Sequence, residues 1–247
     1  MNEKEFFKPF RKYELDYKRL MRWYLASLYS YNSTAKIIEQ DIIEQNLPLK
    51  KLNKIYYKEL HLIENNPHTL KRKYMKAYVD FLEEMTLIRI ISILENFLLD
   101  VIRTSFYHDK TCFYEPKKTI EFQVSEFLSK GMEELEESFI EEKVGNLHRQ
   151  GFNEVKKYYK KIFNIDFNNF NTSIESINYS VKHIHKIHDT RHLIIHRLGR
   201  TDEKFNKEYN YTGKLITLSE EDVILYLQII DDFVEFLKNK FTEKWFR

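Results

Sequence analysis

Only five glycines and four prolines interrupt the 247 residues of this chain, and that scarcity constrains the fold more than any other feature. Average usage is roughly 7% for glycine and 5% for proline. A chain so poor in positive-φ residues and helix breakers has few places to end a helix and too few turn residues for a many-stranded β architecture. Long helices follow. A hydrophobic fraction of 43%, with 19 Phe and 17 Tyr, supplies a sizeable core and excludes a disordered chain. The single cysteine, Cys112, leaves no intrachain disulfide and no Cys-based zinc cluster, and fits a reducing, cytoplasmic setting. No apolar run approaches the roughly 18 residues of a membrane span, and the first 20 residues lack the apolar stretch of a signal peptide. No membrane partner is therefore expected. The net charge of +2 is the sum of uneven parts: residues 1 to 80 carry 16 basic and 10 acidic side chains, and residues 81 to 145 carry 7 and 14. A basic first third either touches phosphate or is a solvated helix face, so overall charge does not decide for nucleic acid.

Apolar spacing divides the chain into helices. Residues 10 to 31 form an amphipathic helix, with Asn32, Ser33 and Thr34 as break and cap, and two shorter helices cover about 34 to 46 and 50 to 64, parted at Leu47-Pro48. Pro67 opens one very long helix, or two in close succession, reaching about Tyr107. His108 to Lys118 reads as a loop, 119 to 145 as an acidic helix, Gly145 and Gly151 as the brackets of a connection, and 152 to 164 as a short helix. Thr172 followed by Glu175 matches a capping box opening a helix that runs to Leu198, where Gly199 supplies a left-handed cap. Tyr209 to Leu218 suits a small hairpin, and Ser219 caps a last helix over about 220 to 243. The expected fold is all-α. Residues 1 to 66 read as an N-terminal helical extension to a domain of 67 to 247, or as part of one continuous domain.

The chemistry concentrates in VKHIHKIHDTRHLIIHRLGR, which holds five of the nine histidines: His183, His185, His188, His192 and His196. At about 100° per residue the last four share one face, with Asp189 beside His196. Imidazoles at i and i+4 suit a metal, but the metalloprotease form needs HExxH, and neither His188 nor His192 is followed by glutamate. A non-protease metal site and an ordinary solvated face both stay open. Opposite that face, Ile184, Ile187, Ile194, Ile195 and Leu198 form a core-facing stripe with Arg191 near its centre. A guanidinium among isoleucines must find a carboxylate, reach an interface or snorkel out, because unpaired burial of a charge costs several kcal/mol. Glu95 is the complementary exception: it sits about 100° from the polar stripe Arg89, Ser92, Asn96, Asp100 and Arg103. The two either pair or reach solvent separately.

Arg191, His192 and His196 in RHLIIH, at a helix end and followed by GRTDEKF, resemble the R-x4-6-H signature of HEPN-superfamily ribonucleases. The preceding apolar helix with Ser92 and Glu95 (ISILENFLLDVI) and the Gly213 turn leading through ITLSEEDV to a final helix extend the likeness, which is closest to the RiboL-PSP type and covers about residues 70 to 240. The resemblance implies a HEPN-type helical bundle, usually dimeric, that cleaves RNA without metal or other cofactor in a toxin or antiphage role. His196 would serve as general base or acid on the ribose 2′-hydroxyl and the leaving 5′-oxygen, a role suited to imidazole with its ordinary pKa of about 6.5. Arg191 would hold the scissile phosphate, His192 would orient it or the second imidazole, and Glu95 would support Arg191. Arg197 and Arg200, just past the motif, are candidate substrate-binding residues. One helix offers one copy of each group, so a homodimer is the economical way to gather an acid and a base around one phosphate. The alternative is a noncatalytic HEPN-like module binding a protein such as an antitoxin or another regulatory partner.

Overall fold

In the computed structural model, residues 2 to 43, 66 to 113, 124 and 131 to 247 are described. Among them 82% are helical, and none of the helices is long and apolar enough to cross a membrane. A one-turn α1 (Glu3–Phe6) leads into α2 (Lys8–Ile43), which runs unbroken through Asn32, Ser33 and Thr34. The expected break is absent because buried Leu28, Ala35 and Ile38 carry the apolar stripe across it; three polar residues do not stop a helix whose packed face continues. The helix expected over 50 to 64 lies outside the described residues.

Asn66 caps α3 (Pro67–Arg72) by accepting from the backbone N–H groups of His68 and Thr69 at 3.0 and 3.2 Å. A π-helical turn over Lys73–Ala77 then continues into α4 (Tyr78–His108), so the very long helix is present with one widened turn. A 3₁₀ turn follows at Lys110–Phe113. The acidic helix α5 is Met132–Gln150. It passes through Gly145, whose position has open space around it, and stops only at Gly151, where φ is 81°. The connection expected from Gly145 is therefore helix. Next comes α6 (Phe152–Phe163), closed by Asn164 in the left-handed region.

The small β element falls where a helix start was expected. β1 (Asn171–Ile174) and β2 (Ile177–Ser180) pair antiparallel around Glu175 and Ser176, both at positive φ. Thr172 is not a cap: its hydroxyl donates to Asp232 at 2.6 Å. The helix α7 (Val181–Arg197) begins at Ser180, whose N–H donates to His183 Nδ1 at 3.0 Å. After α8 (Glu203–Tyr209), the segment before the last helix contributes a single antiparallel bridge, Leu215 to Arg200. Ser219 then caps α9 (Glu220–Trp245) through reciprocal bonds with Asp222.

The central helix is α4, flanked by α2, α5, α7 and α9. One hydrophobic cluster joins Phe10, Tyr13, Leu20, Tyr24 and Leu28 of α2 to Ile91, Leu94 and Ile102 of α4, Ile184 and Ile187 of α7, and Val223, Leu227, Ile230 and Leu237 of α9. The described part of residues 1 to 66 thus shares its core with the rest. At one end of the bundle, Phe6 of α1 packs against Phe241, Trp245 and Phe246 at ring separations of 5.5, 5.0 and 5.5 Å. This aromatic clasp ties the first helical turn to the last.

Candidate active site

The helix α7 is positioned by its apolar side. Val181, Ile184, Ile187, Thr190, Leu193 and Ile194 are buried, and this stripe fixes where every neighbouring polar side chain points. Its border is shifted from the one expected. Ile195 and Leu198, expected in the core, are 39% and 85% exposed. Arg191 accordingly lies at the edge of the buried stripe and is half-buried, not central. The histidine face is divided as well: His192 and His196 are exposed, whereas His188 is turned inward. Its ring stacks on Phe152 at 4.4 Å, and His185 meets the same phenyl edge-on at 5.1 Å.

Glu95 of α4 is the carboxylate that meets this inner edge. Its two oxygens lie 3.7 Å from Arg191 Nη2 and 3.6 Å from His188 Nδ1. Both distances exceed a direct hydrogen bond; only the Arg191 contact is between two charged groups. Burial pushes the Glu95 carboxyl above its usual range, against the opposing pull of Arg191 and of His148 from α5. Burial, with His185 and Arg191 adding to it, takes His188 down to about 3, so its imidazole is neutral near pH 7. Two nitrogens here, the Arg191 Nε donor and His188 Nε2, are buried without a hydrogen-bond partner among the described residues.

On the outer side, His192 and His196 are one turn apart with ring centroids 4.6 Å from each other. The helix then closes abruptly. Leu198 and Gly199 take positive φ values of 51° and 76°, and both N–H groups turn back to the Leu193 carbonyl. Ile216 N–H donates to Gly199 O at 2.8 Å, and Thr201 N–H to Lys214 O at 3.1 Å, so the chain beyond α8 returns to the motif. α8 is tied to α7 twice: Tyr209 donates to Asp189 at 2.5 Å, and Arg197 to Asp202 at 2.6 Å. Between α7 and α8 an open groove of ≈ 1060 Å³ starts at His196 and takes in Arg197 and Arg200.

The structure therefore brings Arg191 to Glu95 and His192 to His196, and sets Arg200 and Arg197 beyond them. Sequence reasoning missed His188 as a second neighbour of Glu95, because its helical angle lies near both the histidine face and Ile184. It also missed Lys214 and Asn206, which line the groove; only the return of the chain after α8 brings Lys214 there, and no local pattern encodes that. Among the described residues no group of three or more His, Cys, Asp or Glu side chains converges as metal ligands do. What the arrangement offers is a pair of solvent-facing imidazoles for proton transfer, with the Arg191 guanidinium beside them in charge contact with the Glu95 carboxylate of α4. No family model, curated protein or solved structure matches the chain.

Proposed function

We propose that this chain is a HEPN-type, metal-independent endoribonuclease acting as a toxin or antiphage effector. The observation that carries the reading is the grouping at the end of α7: Arg191 against Glu95 and the exposed His192–His196 pair within one turn of it. Arg191 Nε and His188 Nε2, buried there without a hydrogen-bond partner among the described residues, are compatible with a site that a ligand completes. In the reaction the ribose 2′-oxygen attacks the adjacent phosphorus while an imidazole takes its proton. The bond to the 5′-oxygen breaks, and an imidazolium returns a proton to that leaving oxygen. The products are a 2′,3′-cyclic phosphate and a 5′-hydroxyl. Arg191 binds the phosphate oxygens and offsets charge that grows in the transition state, and Glu95 limits the orientations its guanidinium can take. His196 is the principal acid or base, with His192 orienting the phosphate or the opposing imidazole.

The test is cleavage of single-stranded RNA with chelator present. Wild type should cut RNA and leave an all-deoxy strand intact, Arg191→Ala and His196→Ala should abolish cutting without loss of helicity, and His183→Ala should retain it. Strict metal dependence or cleavage of DNA refutes the mechanism. The rival reading, a noncatalytic module that binds a protein partner, draws on the exposed apolar Ile195 and Leu198 beside the motif; a His196→Ala variant that loses partner binding while wild type never cleaves RNA would favour it.

A further inference from the structure

Glu95 is approached from two sides, and only one of them belongs to the motif helix. From α7 come Arg191 at 3.7 Å and His188 at 3.6 Å. The other side is a gap of ≈ 20 Å³ between α4, α5 and α6, to which Glu95 and His148 bring the polar side chains and Leu98, Leu99, Phe152 and Val155 an apolar wall. A space of that size has room for about one water, too little for a ligand. What crosses it is charge. His148 is exposed and stands in the last turn of α5, where the helix dipole favours a cation. Gly151 accounts for its reaching the carboxylate. At a φ of 81° the chain turns from α5 directly into α6, so His148 and Phe152, four residues apart across the turn, border the same gap.

The two sides act on Glu95 differently. Burial raises its carboxyl above the usual range, and the positive charges of Arg191 and His148 oppose that rise. Among the described residues the charged and titratable groups facing Glu95 are thus Arg191 and His188 from α7, with His185 acting on His188 from behind, and His148 from α5; α6 presents only Phe152 and Val155. A guanidinium is a cation at every pH of interest, and His188, brought down to about 3 by burial, stays neutral in mild acid. Neither changes its charge there. An imidazole open to water ordinarily gains its proton as pH falls through about 6.5. A positive charge therefore arrives across the gap as acidification begins to threaten the negative charge of Glu95.

We propose that His148 is a positioning residue of the site: its imidazolium, acting across the gap between α4, α5 and α6, keeps the Glu95 carboxylate ionised in mild acid and so keeps Arg191 oriented. Direct contact is not needed for this, since a single charge acting through water-like screening moves a nearby titration by about half a unit. Without His148, Glu95 takes up its proton at higher pH, the neutral carboxyl no longer attracts the guanidinium, and half-exposed Arg191 turns toward solvent. That Arg191 is oriented for a phosphate rests on the ribonuclease reading; the coupling of His148 to Glu95 does not.

Carbon-13 NMR of the glutamate carboxyls at low salt, with Glu95 assigned through Glu95→Gln, tests this without turnover. The Glu95 midpoint should rise by about half a unit in His148→Gln and return to the wild-type value or below it in His148→Arg, which keeps the cation. At about 1 M salt the difference between wild type and His148→Gln should shrink. The Arg191 Nε–H, shielded from solvent by its burial, should report the same midpoint. In RNA cleavage the acid limb of the kcat profile should move up by a similar amount in His148→Gln and back in His148→Arg. An unmoved Glu95 midpoint in His148→Gln would overturn the inference, and so would equal shifts in the Gln and Arg variants, which would show a packing effect in place of a charge. A shifted midpoint in a protein that never cleaves RNA would leave the coupling standing and remove the ribonuclease reading; cleavage with an acid limb indifferent to His148 would do the reverse.

Discussion

Glu95 has two neighbours to satisfy, Arg191 at 3.7 Å and His188 at 3.6 Å, from a site that burial already makes unfavourable for its charge. Neutralising it should loosen Arg191 without opening a hole: Glu95→Gln is expected to fold and to lose cleavage. Glu95→Ala should also cost about 2 kcal/mol in stability, less than the removal of one member of a fully buried pair because Arg191 is half-exposed. In a urea-denaturation cycle with Arg191→Ala, a real pair is non-additive, whereas unrelated charges add within about 0.5 kcal/mol. His188 predicts a pH effect of definite sign. Its folded pKa is depressed to about 3, so the unfolded chain takes up a proton near pH 6.5 that the folded chain refuses. The stability this group contributes is complete above 6.5 and is lost as pH falls below it. Between pH 7 and 5.5 the unfolding free energy of wild type should drop by about 1 kcal/mol more than that of His188→Gln; parallel slopes would show that the imidazole is not excluded from protonation. The Arg191–Glu95 contact was legible in the sequence because each residue breaks the stripe of its own helix. The third member was not, since a histidine violates neither a polar face nor an apolar one.

The ends of elements carry most of what patterning misplaced. Thr172 and Glu175 have the spacing of a capping box, yet Thr172, Ile174, Ile177 and Tyr179 also alternate as strand residues do, and pairing across the Glu175–Ser176 turn prevails. A cap is one or two hydrogen bonds, and its short signature loses to a ladder that also buries Tyr179. Gly145 shows the converse: a glycine inside a helix costs roughly 1 kcal/mol against alanine and does not end it when Val144 and Leu147 are buried on either side. The sharp end of α7 was legible through Gly199 alone. Preceding it in the left-handed region is Leu198, a conformation that costs a non-glycine residue of order 1 kcal/mol. Leu198→Gly should therefore raise stability by up to about 1 kcal/mol, as its side chain packs against little, while Gly199→Ala should lower it by about as much. Thermal unfolding of the two variants checks this pair of opposite signs.

For the whole molecule, the all-α class was readable from breaker scarcity alone, but the sharing of one core between α2 and the remainder was not, because helix amphipathicity says that a face is buried and not against what. Loss of α2 would strip Phe10 and Tyr13 from Phe97 of the central helix. A chain truncated to 67–247 is accordingly expected to lose cooperative unfolding and to bind a hydrophobic dye, whereas a sharp two-state melt would show two separable cores. The proposed chemistry is most economically completed by a second copy: with one Arg191 and one His196 per chain, acid and base are expected to meet across a two-fold axis near α7. Sedimentation at micromolar concentration should find a dimer, and a fully active monomer would refute that arrangement. The clasp of Phe6 with Phe241, Trp245 and Phe246 gives the bundle a sense of time as well as of shape. During synthesis α1 emerges more than 230 residues before the aromatic partners it packs against. α7 packs on α4, already made, and completes its packing only when α9 follows. A nascent chain therefore carries Arg191 and its histidines in an unclosed bundle until the residues of α9 have been added.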